Sequence, residues 1–77
     1  MNNGDVMVRW WSSVDGMSAE VKGTRGLSPA LARLAGVHRN QVDGWLHPDP
    51  ARRRLPRPAV AARLMALLPS ARAEVRK

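Results

Sequence analysis

The 77-residue sequence has no cysteine, no phenylalanine and no tyrosine. Without cysteine, no disulfide can staple the chain. His38 and His47 are its only histidines, so no Cys/His cluster with metal-ligand spacing exists and no cofactor is expected. A cysteine-free chain suits a reducing compartment. There is no apolar run long enough to span a bilayer. The opening Met1-Asn2-Asn3-Gly4-Asp5 has neither the basic start nor the apolar run of a secretory signal. The expected location is therefore the cytoplasm, with no membrane partner. Nucleophile–base pairs, paired carboxylates and phosphate-cradling glycine loops are also missing. A small basic bundle offers little concave pocket, so neither an enzyme nor a small-molecule binder is expected.

The length fits one domain spanning residues 1–77. A domain of this size buries only about 60% of the surface of its unfolded chain. Self-association is the expected additional source of stability.

The net charge is +7, and it is unevenly placed. Residues 1–50 carry five basic and five acidic side chains, whereas residues 51–77 carry eight basic and one acidic. All of the excess lies in the last third. Such asymmetry implies a polyanionic partner, nucleic acid first and an anionic membrane surface second.

Hydrophobic spacing predicts an all-α chain of four to five short helices. Met7, Trp10, Val14, Met17 and Val21 recur at steps of three and four, which marks one face of a helix over 5–22. Asp5 is its expected N-cap. Asp15-Gly16 is a possible break, and Val6 to Trp11 also has strand propensity. Gly23 and Gly26 bracket a turn. Ser28-Pro29 then reads as an N-cap followed by a first-turn proline, opening a helix with Leu31, Leu34 and Ala35 on its apolar face. Gly36 ends it. Val37 to His47 is the next helix, stopped by Pro48 and Pro50. Residues 48–58 form a Pro- and Arg-rich loop. A last core or dimer helix is expected over 58–68, with Val60, Leu64, Leu67 and Leu68 on one face. Pro69-Ser70 should break it, leaving a basic tail over 69–77.

Two short helices joined by a glycine-containing turn make a helix-turn-helix over 28–47. Gly36 supplies the tolerance for positive φ that the turn needs. Ala32 allows close approach of the two helices, while Val37, Val42 and Trp45 fill the inner side. The same spacing also suits an ordinary helical hairpin in a bundle.

Gly26-Leu27-Ser28, Leu31-Ala32, Gly36-Val37, Val42 and Trp45-Leu46 together resemble the helix-turn-helix of the phage repressor and Cro (XRE-type) superfamily. The likeness covers residues 26–68, although Ser28 lies one residue nearer to Ala32 than is usual. Leu55-Pro56-Arg57-Pro58 before an apolar helix is similar to a smaller group, the anti-CRISPR-associated repressors carried by phages. The resemblance implies a lambda-repressor-like helical bundle, active as a DNA-binding regulator of transcription on the nucleoid.

On that reading the polar side of the third helix faces bases. Its positions are His38, Arg39, Asn40, Asp43, Gly44 and His47. Arg39 suits guanine O6/N7 and Asn40 suits adenine N6/N7. Asp43 could accept from cytosine N4 or hold an arginine in place, and an exposed Arg39–Asp43 pair is the plain alternative. Gly44 would allow close backbone approach. His38 could simply cap the helix, and His47 could simply end it.

Ser28 with the first amides of its helix suits a phosphate. Arg52, Arg53, Arg54 and Arg57 follow the recognition helix and form the main phosphate-contacting group, or else a solvated loop. Lys22, Arg25 and Arg33 rank behind them. Trp45 is expected in the core. Leu64, Leu67, Leu68 and Trp11 are the candidate dimer surface, with closure of the monomer core as the competing role for the leucines.

The expected function is sequence-specific binding of double-stranded DNA by a homodimer on an inverted repeat, as a repressor of its own promoter. A non-specific or architectural nucleic-acid binder, and a basic adaptor for a membrane or an acidic partner, are the alternatives.

Overall fold

A computed structural model describes residues 2–76. Four α-helices account for most of it, and among the described residues there is no strand: α1 (Asn3–Gly23), α2 (Leu27–Ala35), α3 (Arg39–Trp45) and α4 (Pro58–Val75), with a short 3-10 turn at Pro50–Arg52. None is long and apolar enough to cross a membrane.

The cap of α1 is Asn2 rather than Asp5. The Asn2 Oδ1 accepts a 2.8 Å hydrogen bond from the Asp5 backbone N–H. Asp5 thereby falls in the first turn, where a carboxylate favours the helix dipole. Val6, Trp10, Val14 and Met17 are buried along one stripe, while Met7 and Val21 are only partly covered. The helix passes through Gly16 without a break. Buried Val14 on one side and buried Met17 and Ser18 on the other fix the backbone through that point.

The α2 helix starts two residues earlier than the Ser28-Pro29 signal predicts. Gly26, at φ 86°, is the cap, and Leu27 is already helical and fully buried. Ser28 is therefore not an N-cap but sits in the first turn. Pro29 remains acceptable there, because the first four N–H groups of a helix lack intrahelical partners. The far end closes as anticipated. Gly36 takes φ 73°; its N–H bonds Arg33 O at 3.3 Å and the Val37 N–H bonds Ala32 O at 3.0 Å. This is the Schellman arrangement, which needs a left-handed residue.

The α3 helix is shorter than the 37–47 expectation. His38 is its N-cap, and the His38 N–H donates to Gln41 Oε1 at 3.0 Å. Leu46 leaves helical geometry at φ −109°, ψ 28°. Its carbonyl and that of His47 are taken by the buried Ser18 hydroxyl, which donates to them at 2.8 and 3.2 Å. Val42 and Leu46 are the buried anchors of α3. Trp45 only packs at the edge of the core, a correction to its expected full burial.

The α4 helix departs most from expectation. It does not break at Pro69 but continues to Val75. Proline removes one hydrogen bond and crowds the preceding turn. Here tertiary packing outweighs that cost: Ala61, Leu64, Leu68 and Ala71 form one buried stripe spanning the proline. Beyond it, Arg72 grips Glu20 of α1 through two nitrogens at 2.5 and 2.7 Å, and Glu74 pairs with Arg33 of α2. The hydrogen bond from Arg72 holds the Glu20 carboxyl below its usual titration range, against a smaller opposing effect of desolvation. Of the expected basic tail, residues 69–77, only Lys77 lies outside the described residues.

Leu64 and Leu68 are therefore core residues rather than dimer contacts. They close the domain against α1 and α2, both of which pack on α4. Arg63 adds a clasp by donating from Nη1 to the C-terminal carbonyl of Ala35 at 3.3 Å.

Candidate nucleic-acid interface

With Val42 and Leu46 inward, a rotation of about 100° per residue sets Asn40 and Gly44 on the opposite side of α3. His38, Arg39, Asn40 and Asp43 are exposed, and Gly44 and His47 are half-buried. The six positions expected to read bases thus split between an open leading turn and a more enclosed trailing end.

At the leading turn, Arg39 Nε faces Asp43 Oδ2 at 3.6 Å. The other oxygen, Asp43 Oδ1, accepts a 2.6 Å hydrogen bond from the Ser28 hydroxyl. Ser28 is buried against α3, so its hydroxyl serves Asp43 rather than an open phosphate site. Both Asp43 oxygens are engaged, which matches the role of holding an arginine.

At the trailing end, the loop folds back on α3. The Arg54 N–H donates to Gly44 O at 3.0 Å. A Cβ placed on Gly44 would lie 3.5 Å from Arg54 Cδ. The close approach at Gly44 is thus made by Arg54, whose exposed side chain lies beside the outer face of α3. His47 ends the helical region as a local fixture: its Nδ1 accepts from the Asp49 N–H at 3.0 Å.

The four loop arginines have different fates. Arg53 is structural. Its Nε donates to His47 O at 2.7 Å, and its Nη1 meets Asp15 Oδ1 of α1 at 2.5 Å. Its side chain is only 12% exposed, which removes it from the expected phosphate group. Arg52 is exposed and faces Asp49 at 3.7 Å. Arg54 and Arg57 are exposed, with Arg57 capping α4. Among the described residues, Lys22, Arg25, Arg54 and Arg57 form no ion pair.

Lys22 and Arg25 border a cleft of about 350 Å³ between the end of α1, the start of α2 and α3, shared with Ser28, Arg39 and Asp43. Arg33, the other second-rank cation, is tied to Glu74. The outer face of α3 is therefore bracketed by Lys22 and Arg25 on one flank and by Arg54 on the other. Among the described residues, no group of His, Asp and Glu is arranged to hold a metal ion.

Sequence reasoning missed Ser18 and Asp15, which lock the end of α3 and the loop to α1. Ser18 carried a signal: it is a lone hydroxyl set among Val14, Met17 and Val21. Trp11 is 61% exposed, and Val8, one turn before it, is also exposed. Of the four expected dimer residues, Trp11 is open, Leu67 is half-buried, and Leu64 and Leu68 are enclosed.

Comparison of the chain with protein-family models, curated proteins and solved structures finds no match.

Proposed function

We propose that this chain is a sequence-specific binder of double-stranded DNA, placing α3 in the major groove and regulating transcription from the site it occupies. One observation carries the reading. The leading turn of α3 presents Arg39 and Asn40 to solvent, its opposite side is anchored by buried Val42 and Leu46, and unpaired cations flank it on both sides. A short helix with this division suits entry into a groove about 12 Å wide. Its first residues reach base edges while the flanking cations meet the two phosphate backbones.

Arg39 and Asn40 are the proposed principal base readers, with His38 beside them. Arg54 and Arg57, with Lys22 and Arg25, are the proposed phosphate group. One seven-residue helix reads few base pairs, and a second copy on a two-fold axis doubles the readout, with half-sites about 34 Å apart. The protomer extends 35 Å along its longest axis, so neighbours at that spacing are able to touch. Trp11 with Val8 is the proposed contact, since Leu64 and Leu68 are committed to the core. Control by protein concentration, with repression of its own promoter and a phage or anti-CRISPR-associated setting, rests on the family resemblance alone.

Selection from random duplexes tests the reading. A recovered inverted repeat supports it, including the homodimer. Binding without any preferred sequence at fixed salt identifies a non-specific binder instead. Indifference to duplex DNA, with capture on anionic vesicles or acidic proteins, identifies the adaptor.

A further inference from the structure

The Arg39–Asp43 pair is poorly placed as a stabilising device. Arg39 is the first residue of α3, where the positive end of the helix dipole disfavours a cation. A basic residue four positions before an acidic one is also the weaker order for a helical ion pair. Both side chains are substantially exposed, at 64% and 49%, so their attraction is screened. Yet a buried hydroxyl from another helix is spent on fixing the carboxylate: Ser28 donates to Asp43 Oδ1 at 2.6 Å. A local arrangement that runs against stability and is nonetheless braced points to function.

We infer that Ser28 and Asp43 are positioning residues that set Arg39 to read a guanine. The inference rests on the DNA-binding reading above and names the base it recognises. Asp43 Oδ2 faces the Nε edge of the guanidinium. Among the described residues no hydrogen bond or ion pair engages the two Nη groups, which leaves them available as the fork that pairs with guanine O6 and N7. Ser28 prevents the carboxylate from rotating away, and its near-complete burial fixes its own place. Arginine otherwise carries large rotamer entropy, and restricting it before contact raises discrimination more than it raises general affinity. Asp43 also repels phosphates, so an unbraced Arg39 cannot substitute a backbone contact there without cost.

The test uses the intact protein and the duplex recovered by selection, with each base pair changed in turn. Arg39→Ala should lose about 5- to 150-fold of discrimination at one G·C pair. Ser28→Ala and Asp43→Asn should lose discrimination at that same pair, by a smaller factor, and Ser28→Ala, which changes no charge, should leave the salt slope unchanged. Ser28→Ala combined with Arg39→Ala should be no worse at that pair than Arg39→Ala alone. Ser28→Thr, which keeps the hydroxyl, should retain the preference. Ser28→Ala removes buried packing, so exposed Asp43→Asn provides the variant that leaves the core intact.

Full guanine preference in Asp43→Asn overturns the inference, as does an equal loss at every position. If the wild-type protein selects no sequence at all, the DNA-binding reading fails first. If it selects a site and Arg39→Ala alone changes the G·C pair, only the positioning role of Ser28 and Asp43 fails.

Discussion

Arg53 in the loop and Asp15 in α1, 38 residues apart in sequence, meet through Nη1 and Oδ1. The same guanidinium holds the His47 carbonyl at 2.7 Å. One side chain thereby fastens the loop to the first helix and to the end of α3. A charge-assisted bond to an enclosed carbonyl contributes about 1.5–3 kcal/mol. Arg53→Ala should lower stability by roughly that amount in urea titration. Arg53→Lys should rescue it only partly, because an ammonium cannot span both acceptors in the fixed geometry of a guanidinium.

Arg54 and Arg39 should separate in their response to salt. Under the proposed function, Arg54→Ala weakens binding to all sequences alike and reduces the slope of log K against log[salt] by about 1. Arg39→Ala should instead cost about 1–3 kcal/mol at one base pair. Titrations at several salt concentrations, on a matched and a mismatched duplex, measure both. Identical behaviour of the two variants would remove the division between reading and positioning residues.

Two glycines should respond with opposite sign to alanine. Gly16 lies within α1 with nothing within 4 Å of an added Cβ. Gly16→Ala should stabilise by about 0.4–1 kcal/mol through lower backbone entropy in the unfolded chain. Gly36 also has open space around it but sits at φ 73°. Gly36→Ala should destabilise by about 1–2 kcal/mol. Thermal melts of the two variants beside the wild type give the comparison.

Acid should reveal the clamp between Glu20 and Arg72. The Arg72 hydrogen bond depresses the Glu20 titration. A carboxylate depressed in the folded state contributes its stability above its unfolded value, near about 4.3. That contribution fades as pH falls through the folded value. Glu20→Gln should therefore melt below the wild type at pH 7, and the gap should narrow below about pH 4. A gap that stays constant across that range would show that the carboxylate charge plays no part.

Much of this architecture is legible locally. Steps of three and four expose the α1 face, and Gly36 announces the turn before α3. The positions that resisted reading are those where distant contacts decide. The proline rule sees only its own turn, so it stops α4 at Pro69; buried Ala71 and the grips of Arg72 and Glu74 carry the helix on. The leucine stripe of α4 looks the same whether it meets another chain or its own domain. In a chain this short, the need to cover Trp10 and Leu31 settles the choice for Leu64 and Leu68. The exposure of Arg39 and Asn40 on α3 follows from helical phase alone. Which loop arginines stay open does not: it depends on where Asp15 and His47 end up in space.

Among the described residues, five of the six acidic side chains are matched to arginines in the fold, and four of those pairings join the neutral first part of the chain to its basic end. Asp15 and Glu20 thus mask Arg53 and Arg72 only once the ends of the molecule have come together. Before that, during synthesis or after denaturation, the carboxy-terminal stretch is a bare polycation. Nucleic acid would then attract the unfolded chain indiscriminately, and under the proposed function acquiring tertiary structure is itself the step that trims this stickiness down to a selective surface.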